Sequence, residues 1–272
     1  MISFPNCKIN IGLRILRKRN DGYHDVESVM LPLPIQDVLE IIPLQEEVNH
    51  KFTFSGKIIP GKLEDNLIFK AVQLLEEITQ IPPLHIHLHK RIPMGGGLGG
   101  GSSNGTYTLK LINGLLSLNL SERVLHELSA KLGSDCAFFI NSTPQFATGR
   151  GEVLSSFELN SKGYYLLLVN DGTHISTKTA YGAIQPKEVQ FDWDTLKGST
   201  PDQWKDLLVI NDFEQGIFKL HPHLKELKQK LYEMGAVYAS MTGSGSTMYG
   251  FFKDKPAHDL LNADGFVEVV SL

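Results

Sequence analysis

Apolar and polar positions alternate through the first forty residues in runs that predict strands over 9–15, 26–33 and 38–42, with Asp21-Gly22 as a turn between the first two. A further short strand is predicted over 51–54. Between 66 and 78 the period lengthens: Leu67, Ala71, Leu74, Leu75 and Ile78 share one face of a helix that Pro82-Pro83 closes off. Leu84-His85-Ile86-His87-Leu88-His89-Lys90 returns to strict alternation and reads as a half-buried strand. Leu109, Ile112 and Leu116, with Leu111 and Leu115, recur at helical spacing, and a shorter helix is predicted over 123–132, ending at Gly133. After residue 146 the chain loosens through a turn at Gly149-Arg150-Gly151-Glu152 and regains an apolar run over 164–169. Helices are predicted over 178–184, 201–208 and 223–234. Residues 237–252 read as strand, tight turn, strand around Thr242-Gly243-Ser244-Gly245-Ser246-Thr247. Strands and helices that mix without strict alternation predict an α+β chain, here in two regions, 1–154 and 155–272.

Hydrophobic residues at 42 % and charged residues at 21 % of 272 are ordinary for a globular protein. A net charge of −4 gives no global attraction for nucleic acid, so an anionic ligand must be drawn locally. The dense basic cluster Arg14, Arg17, Lys18 and Arg19 precedes the Asp-Gly turn and reads as a solvated hairpin as readily as a ligand contact. No segment approaches the roughly 18 to 20 apolar residues of a membrane span, and Ile2-Ser3-Phe4-Pro5 lacks the regions of a signal peptide. Two cysteines cannot form a disulfide framework, which fits the reducing cytoplasm. Cys7 and Cys136 read as small buried hydrophobes. A monomer or weak homodimer is expected.

The richest chemistry lies between the alternating strand and the helix that follows it. Pro93-Met94-Gly95-Gly96-Gly97-Leu98-Gly99-Gly100-Gly101-Ser102-Ser103-Asn104 strips side chains from a loop and leaves backbone N–H groups to meet an anion, and the helix behind it adds its N-terminal donors and dipole. A Walker A loop needs a lysine directly after its last glycine, but Ser102 follows Gly101. A dinucleotide fingerprint wants an acidic residue ending a second strand about 20 positions on; Glu122 instead begins a helix capped by Ser121. Protein-kinase loops come with His-Arg-Asp and Asp-Phe-Gly, and neither tripeptide occurs. What remains is a loop that holds a nucleotide triphosphate with backbone amides and serine hydroxyls. Ser102 and Ser103 suit phosphate oxygens or a magnesium ion, and equally suit capping of the helix. His85, His87 and His89 fall on one strand face, where a flat strand spaces them too widely for one metal ion. The metal ligands stay unassigned.

The loop resembles the ATP-binding motif of the GHMP kinases. Lys8-Ile9-Asn10, Asp21-Gly22-Tyr23-His24, Glu64-Asp65-Asn66-Leu67, Gly133-Ser134-Asp135, Asn211-Asp212-Phe213-Glu214 and Met241-Thr242-Gly243-Ser244-Gly245-Ser246 follow in the order of a branch of that family that acts on a cytidine diphosphate substrate. The resemblance covers roughly residues 5 to 252. It implies a two-domain fold with the active site in the cleft between domains, ATP and Mg2+ as cofactors, and phosphoryl transfer to a small-molecule hydroxyl in isoprenoid precursor synthesis. It implies catalytic roles for Asp135, as general base, and Lys8. Pro93, Gly95, Gly96, Gly97, Leu98, Gly99, Gly100, Gly101, Ser102, Ser103 and Asn104 would hold ATP, with Asn66 and Lys90 toward its adenosine end. Tyr23 and His24 would recognise the cytidine base, Thr177 and Tyr181 would form the second substrate segment, and Asn10 would bind the substrate hydroxyl or hold Lys8. The family has Gly-Ala-Asp-Val-Pro where this chain has Gly-Ser-Asp-Cys-Ala, a loop loosened by the missing proline.

Overall fold

The computed structural model describes residues 1–45, 48–184, 186, 191–257 and 265–272. The first half forms β1 (Ile2–Ser3), β2 (Asn6–Lys18), β3 (His24–Gln36), β4 (Val38–Pro43), β5 (Lys51–Gly56), helix α1 (Leu67–Glu76), β6 (Leu84–Lys90), α2 (Gly100–Leu115), α3 (Glu122–Leu132) and the short α4 (Phe138–Asn141). The second half adds β7 (Gln145–Thr148), β8 (Val153–Ser156), β9 (Tyr165–Asn170), α5 (Thr177–Gly182), α6 (Trp193–Lys197), α7 (Pro201–Trp204), α8 (Phe213–Leu220), α9 (Pro222–Glu233), β10 (Tyr238–Met241), β11 (Met248–Phe252) and β12 (Phe266–Ser271). Two compact units result. One comprises Met1–Lys8, Pro32–Met94 and Gly99–Ser142; the other comprises Ile9–Leu31, Gly95–Leu98 and Thr143–Leu272. The long strands β2 and β3 contribute to both.

In the first unit the sheet order is β1-β4-β6-β5, with β5 and β6 parallel and the other pairs antiparallel. The alternation of β6 sets its faces: Leu84, Ile86 and Leu88 are buried, while His85, His87 and His89 are on the other side. Its buried face meets α1, α2 and α3 through Ile68, Ala71, Leu75, Leu109, Ile112, Leu125 and Leu128, which form one apolar core. In the second unit the antiparallel sheet β10-β11-β9-β12 packs on α5, α8 and α9 around Leu167, Phe213, Ile217, Leu231 and Met248. A further sheet has the order β2-β3-β7-β8.

The observed architecture is α+β. The helix predicted over 201–208 is confined to Pro201–Trp204, and Leu208 adopts φ of +56°, which a helix cannot use. The sequence pattern does not predict β7, β8, α8 or β12. Two of these are four residues long, and α8 carries an interior glycine, Gly216, that lowers its helix propensity. None of the described helices is long and apolar enough to cross a membrane.

Candidate active site

In the first unit α1 and α3 each receive a side-chain cap, from Asn66 and Ser121, while the short α4 does not. α2 receives none: its N-cap is Gly99, in the left-handed region at φ of +68°. The first N–H groups of a helix have no acceptor within it, so those of α2 point out of the helix with no side chain to meet them. The Ser103 hydroxyl, in the first turn, is fully buried and has no hydrogen-bond partner among the described residues. An uncapped N-terminus of sixteen residues with an orphaned hydroxyl is what an anion would complete.

Lys8 and Asp135 are brought together beside this terminus. Lys8 is only 2 % exposed, yet its Nζ lies 3.2 Å from Asp135 Oδ2, whose side chain is one-third exposed. The Lys8 stem runs against Gly99, where a Cβ would sit 3.1 Å from Lys8 Cε and 2.9 Å from the Phe139 ring. The left-handed conformation and this close approach together require glycine. Asp135 lies in the turn that leaves α3, and the turn is fastened to α2. Thr106 Oγ1 donates to the Cys136 carbonyl at 2.8 Å. Burial pushes the thiols of both Cys7 and Cys136 up to about 12, so both remain protonated.

In the second unit, the tip of the glycine loop rests on the turn between β10 and β11. Gly97 has φ of +79°, and a Cβ there would overlap the Thr242 carbonyl oxygen and lie 3.0 Å from the Gly245 nitrogen. Thr247 N–H donates to Gly96 O at 3.2 Å, and Thr242 Oγ1 donates to Gly97 O at 3.3 Å. The turn itself is held from below. Asn211 donates through Nδ2 to both Met241 O and Gly243 O at 2.8 Å, Asp212 accepts from Ile15 N–H, and Glu214 accepts from Met241 N–H. The Asn-Asp-Phe-Glu segment is thus a set of fasteners for this turn and for β2.

The same unit assembles the aromatic residues. His24 stacks on Tyr181 with ring centroids 4.7 Å apart, and Tyr181 meets the edge of Phe213 at 4.9 Å. Tyr23, 55 % exposed, lies beneath the Arg150 guanidinium at 4.8 Å, a cation–π contact. Desolvation, then the nearby Lys18 charge, lowers the His24 pKa below its ordinary 6.5, so the ring is neutral at pH 7 with one donor and one acceptor nitrogen. Thr177 is exposed on the first turn of α5.

Several predicted residues have polar partners within the protein. Lys90 does not turn its ammonium toward a ligand: it is 1 % exposed and ion-paired with the fully buried Asp37. Asn104 is likewise inside, donating to Asp37 Oδ2 at 2.9 Å and accepting from Lys90 at 3.1 Å. Asn66 accepts from the Ile68 N–H through its side-chain oxygen as the α1 cap. Asn10 is buried, its amide donating to Ser28 Oγ at 2.9 Å and its N–H to Thr242 Oγ1 at 2.9 Å. The histidines of β6 bond hydroxyls of β5. Thr53 Oγ1 bonds His85 and His87, and Ser55 Oγ bonds His87 and His89, at 2.8–3.0 Å. Arg17 and Arg19 are satisfied by Asp21 and Asp25, as a solvated hairpin requires. Sequence reasoning missed Asp37, Arg150 and the packing role of Gly245.

Comparison with known proteins decides the family. The model for the GHMP kinases N terminal domain matches residues 66–143, and that for the GHMP kinases C terminal matches 194–263. A 4-diphosphocytidyl-2-C-methyl-D-erythritol kinase of Cytophaga hutchinsonii is 46 % identical over 257 residues, covering 94 % of each chain. The chain belongs to the GHMP kinase family. A kinase of the same description from Bacteroides thetaiotaomicron is 46 % identical over 93 % of this GHMP kinase and 92 % of the relative. A crystal structure described as 4-(cytidine 5'-diphospho)-2C-methyl-D-erythritol kinase superposes with a TM-score of 0.75 at 28 % identity, covering 92 % of this chain and 89 % of that one. A Streptococcus pneumoniae phosphomevalonate kinase solved with phosphomevalonate and AMPPNP shares the fold, with a TM-score of 0.70 at 14 % identity.

Gly97→Val would force a branched residue into a left-handed conformation, at a cost of about 1–3 kcal/mol for the backbone alone, and would drive it into Thr242. The expected result is a protein that still unfolds cooperatively but shows no ATP binding by calorimetry. ATP affinity equal to that of the parent would show that the loop tip has no part in holding the nucleotide.

Proposed function

We propose that this GHMP kinase uses ATP and Mg2+ to phosphorylate the 2-hydroxyl of 4-diphosphocytidyl-2-C-methyl-D-erythritol, a step of non-mevalonate isoprenoid precursor synthesis. The observation that carries this reading is the Lys8–Asp135 pair held at 3.2 Å beside the uncapped start of α2. The names of the relatives that match nearly the whole chain support the substrate. The buried free cysteines fit a reducing compartment, and we place the enzyme in the cytoplasm.

Phosphoryl transfer asks a protein for positioning, charge stabilisation and an acceptor for the nucleophile's proton. The N–H groups of Gly100, Gly101 and Ser102 receive phosphate oxygens at the positive end of α2. Gly95 to Leu98 supply a loop without projecting side chains, apart from the buried Leu98. Asp135 takes the proton of the substrate hydroxyl as its oxygen attacks the γ-phosphorus, the bond from that phosphorus to the bridging oxygen breaks to release ADP, and Lys8 offsets negative charge gathering on the transferred group. Mg2+ when bound would neutralise the phosphates. The buried Ser103 hydroxyl, which has no partner among the described residues, would be a protein ligand for it beside the triphosphate. At the other substrate, neutral His24 offers the donor–acceptor pair that suits the polar edge of cytosine. Tyr181 and Phe213 set the plane of its ring, and Tyr23 supplies an exposed face for stacking.

Asp135→Asn preserves shape and removes the proton acceptor, so turnover should fall by roughly 100-fold or more, with binding of a non-hydrolysable ATP analogue retained. Near-normal turnover would take the role of base away from Asp135.

Tyr181→Ala removes the surface on which His24 stacks. Base–aromatic contacts are worth about 1–3 kcal/mol by alanine substitution, so affinity for the cytidine substrate should fall roughly 5- to 150-fold, while the KM for ATP stays within about twofold. Lowering the pH through the depressed pKa of His24 should weaken the same affinity in the parent by converting the acceptor nitrogen to a second donor. Undiminished cytidine-substrate affinity in Tyr181→Ala would make that ring packing alone, and impairment toward ATP instead would mean that the two substrates are assigned to the wrong residues.

A further inference from the structure

The most heavily committed polar group of the first unit is not one of the catalytic pair. Asp37, 0 % exposed, sits in the one-residue break between β3 and β4. Its Oδ1 accepts the N–H groups of Arg91 at 2.7 Å and Ile92 at 2.9 Å, the two residues that lead out of β6 toward the glycine loop. Its Oδ2 accepts from Asn104 Nδ2 at 2.9 Å and from the Lys90 ammonium. Lys90 in turn donates to Asn104 Oδ1 at 3.1 Å, and its Nζ lies 2.9 Å from where a Cβ would stand on Gly100, the first residue of α2.

One carboxylate therefore joins both stems of the loop: Arg91 and Ile92 where it begins, Asn104 where it has become helix. Burial pulls the Lys90 pKa down, and the Asp37 charge is the main influence opposing it. An ion pair in this position is costly to break from one side, because the partner left behind is a buried charge. Such a pair, with every carboxylate oxygen occupied twice, restricts the stems to a single arrangement.

We propose that Asp37 is a positioning residue for ATP, clamping the two stems of the glycine loop so that the first N–H groups of α2 stay aimed at the phosphates. This rests on the reading of that loop as the ATP site. The clamp leaves Lys8 and Asp135 untouched and makes no contact with ATP itself. Lys90 and Asn104 then serve ATP through geometry, Asn104 being the arm on the helix and Lys90 the counter-charge beneath it.

Two variants test this, Asp37→Asn and Asn104→Ala, each measured well below its own thermal midpoint with AMP-PNP and Mg2+ as the probe. The second keeps the Asp37–Lys90 pair and the stem at Arg91 and Ile92 while cutting the arm to α2, and decides the matter alone if the first does not fold. Affinity for AMP-PNP should fall at least roughly tenfold in Asp37→Asn, and roughly three- to tenfold in Asn104→Ala. Affinity for the cytidine substrate should stay within about twofold of the parent in both. A lowered thermal midpoint with AMP-PNP affinity unchanged would overturn the proposal and leave the network a structural one. Equal losses for both ligands would overturn it as well, since a clamp on one loop cannot weaken both. A parent enzyme that does not bind AMP-PNP would instead sink the ATP reading on which the clamp rests.

Discussion

A helix that begins without a cap leaves several N–H groups and the positive end of its dipole facing outward, an arrangement that persists only where something else meets them. α2 begins in this way, and the residues around it are arranged accordingly. Gly99 lets the backbone turn into the helix while resting on the Lys8 stem. Lys8 ends on Asp135, and the turn carrying Asp135 is bonded through the Cys136 carbonyl to Thr106 of the same helix.

The second constraint is steric. At the tip of the loop, backbone meets backbone: Gly96 and Gly97 approach the 242–247 turn so closely that a Cβ at Gly97 or at Gly245 would overlap main-chain atoms. Glycine here is not merely permissive of an unusual φ; it lets two loops share one layer. The polar side chains of Asn211, Asp212 and Glu214 fix the height of the lower loop.

Much of this was legible in the chain. The alternation of β6, the helical spacing of α1 and α2 and the hairpin around 242–247 all follow from side-chain periodicity, and the Lys8–Asp135 pairing follows from resemblance. Other features were legible in principle. Lys90 continues the parity of Leu84, Ile86 and Leu88, so it falls on the core face of its strand and must find a buried partner there. That the partner is Asp37, fifty-three positions earlier, depends on how β4 pairs with β6, which no local pattern encodes. The stacking of His24 on Tyr181 is likewise long-range. The Thr53 and Ser55 bonds to three histidines arise from the parallel register of β5 on β6, and parallel partners are joined by no short turn that would declare them.

If the phosphates of ATP complete the start of α2, binding must be visible at its first amides, which have no carbonyl acceptor within the helix. Backbone amide resonances of the 15N-labelled enzyme, followed as AMP-PNP and Mg2+ are added, test it residue by residue. The account predicts that Gly100, Gly101 and Ser102 show the largest shifts and slowed solvent exchange, while the capped start of α3, at Glu122 and Arg123, stays unchanged. Saturation with AMP-PNP that leaves those three amides unshifted and freely exchanging would contradict it.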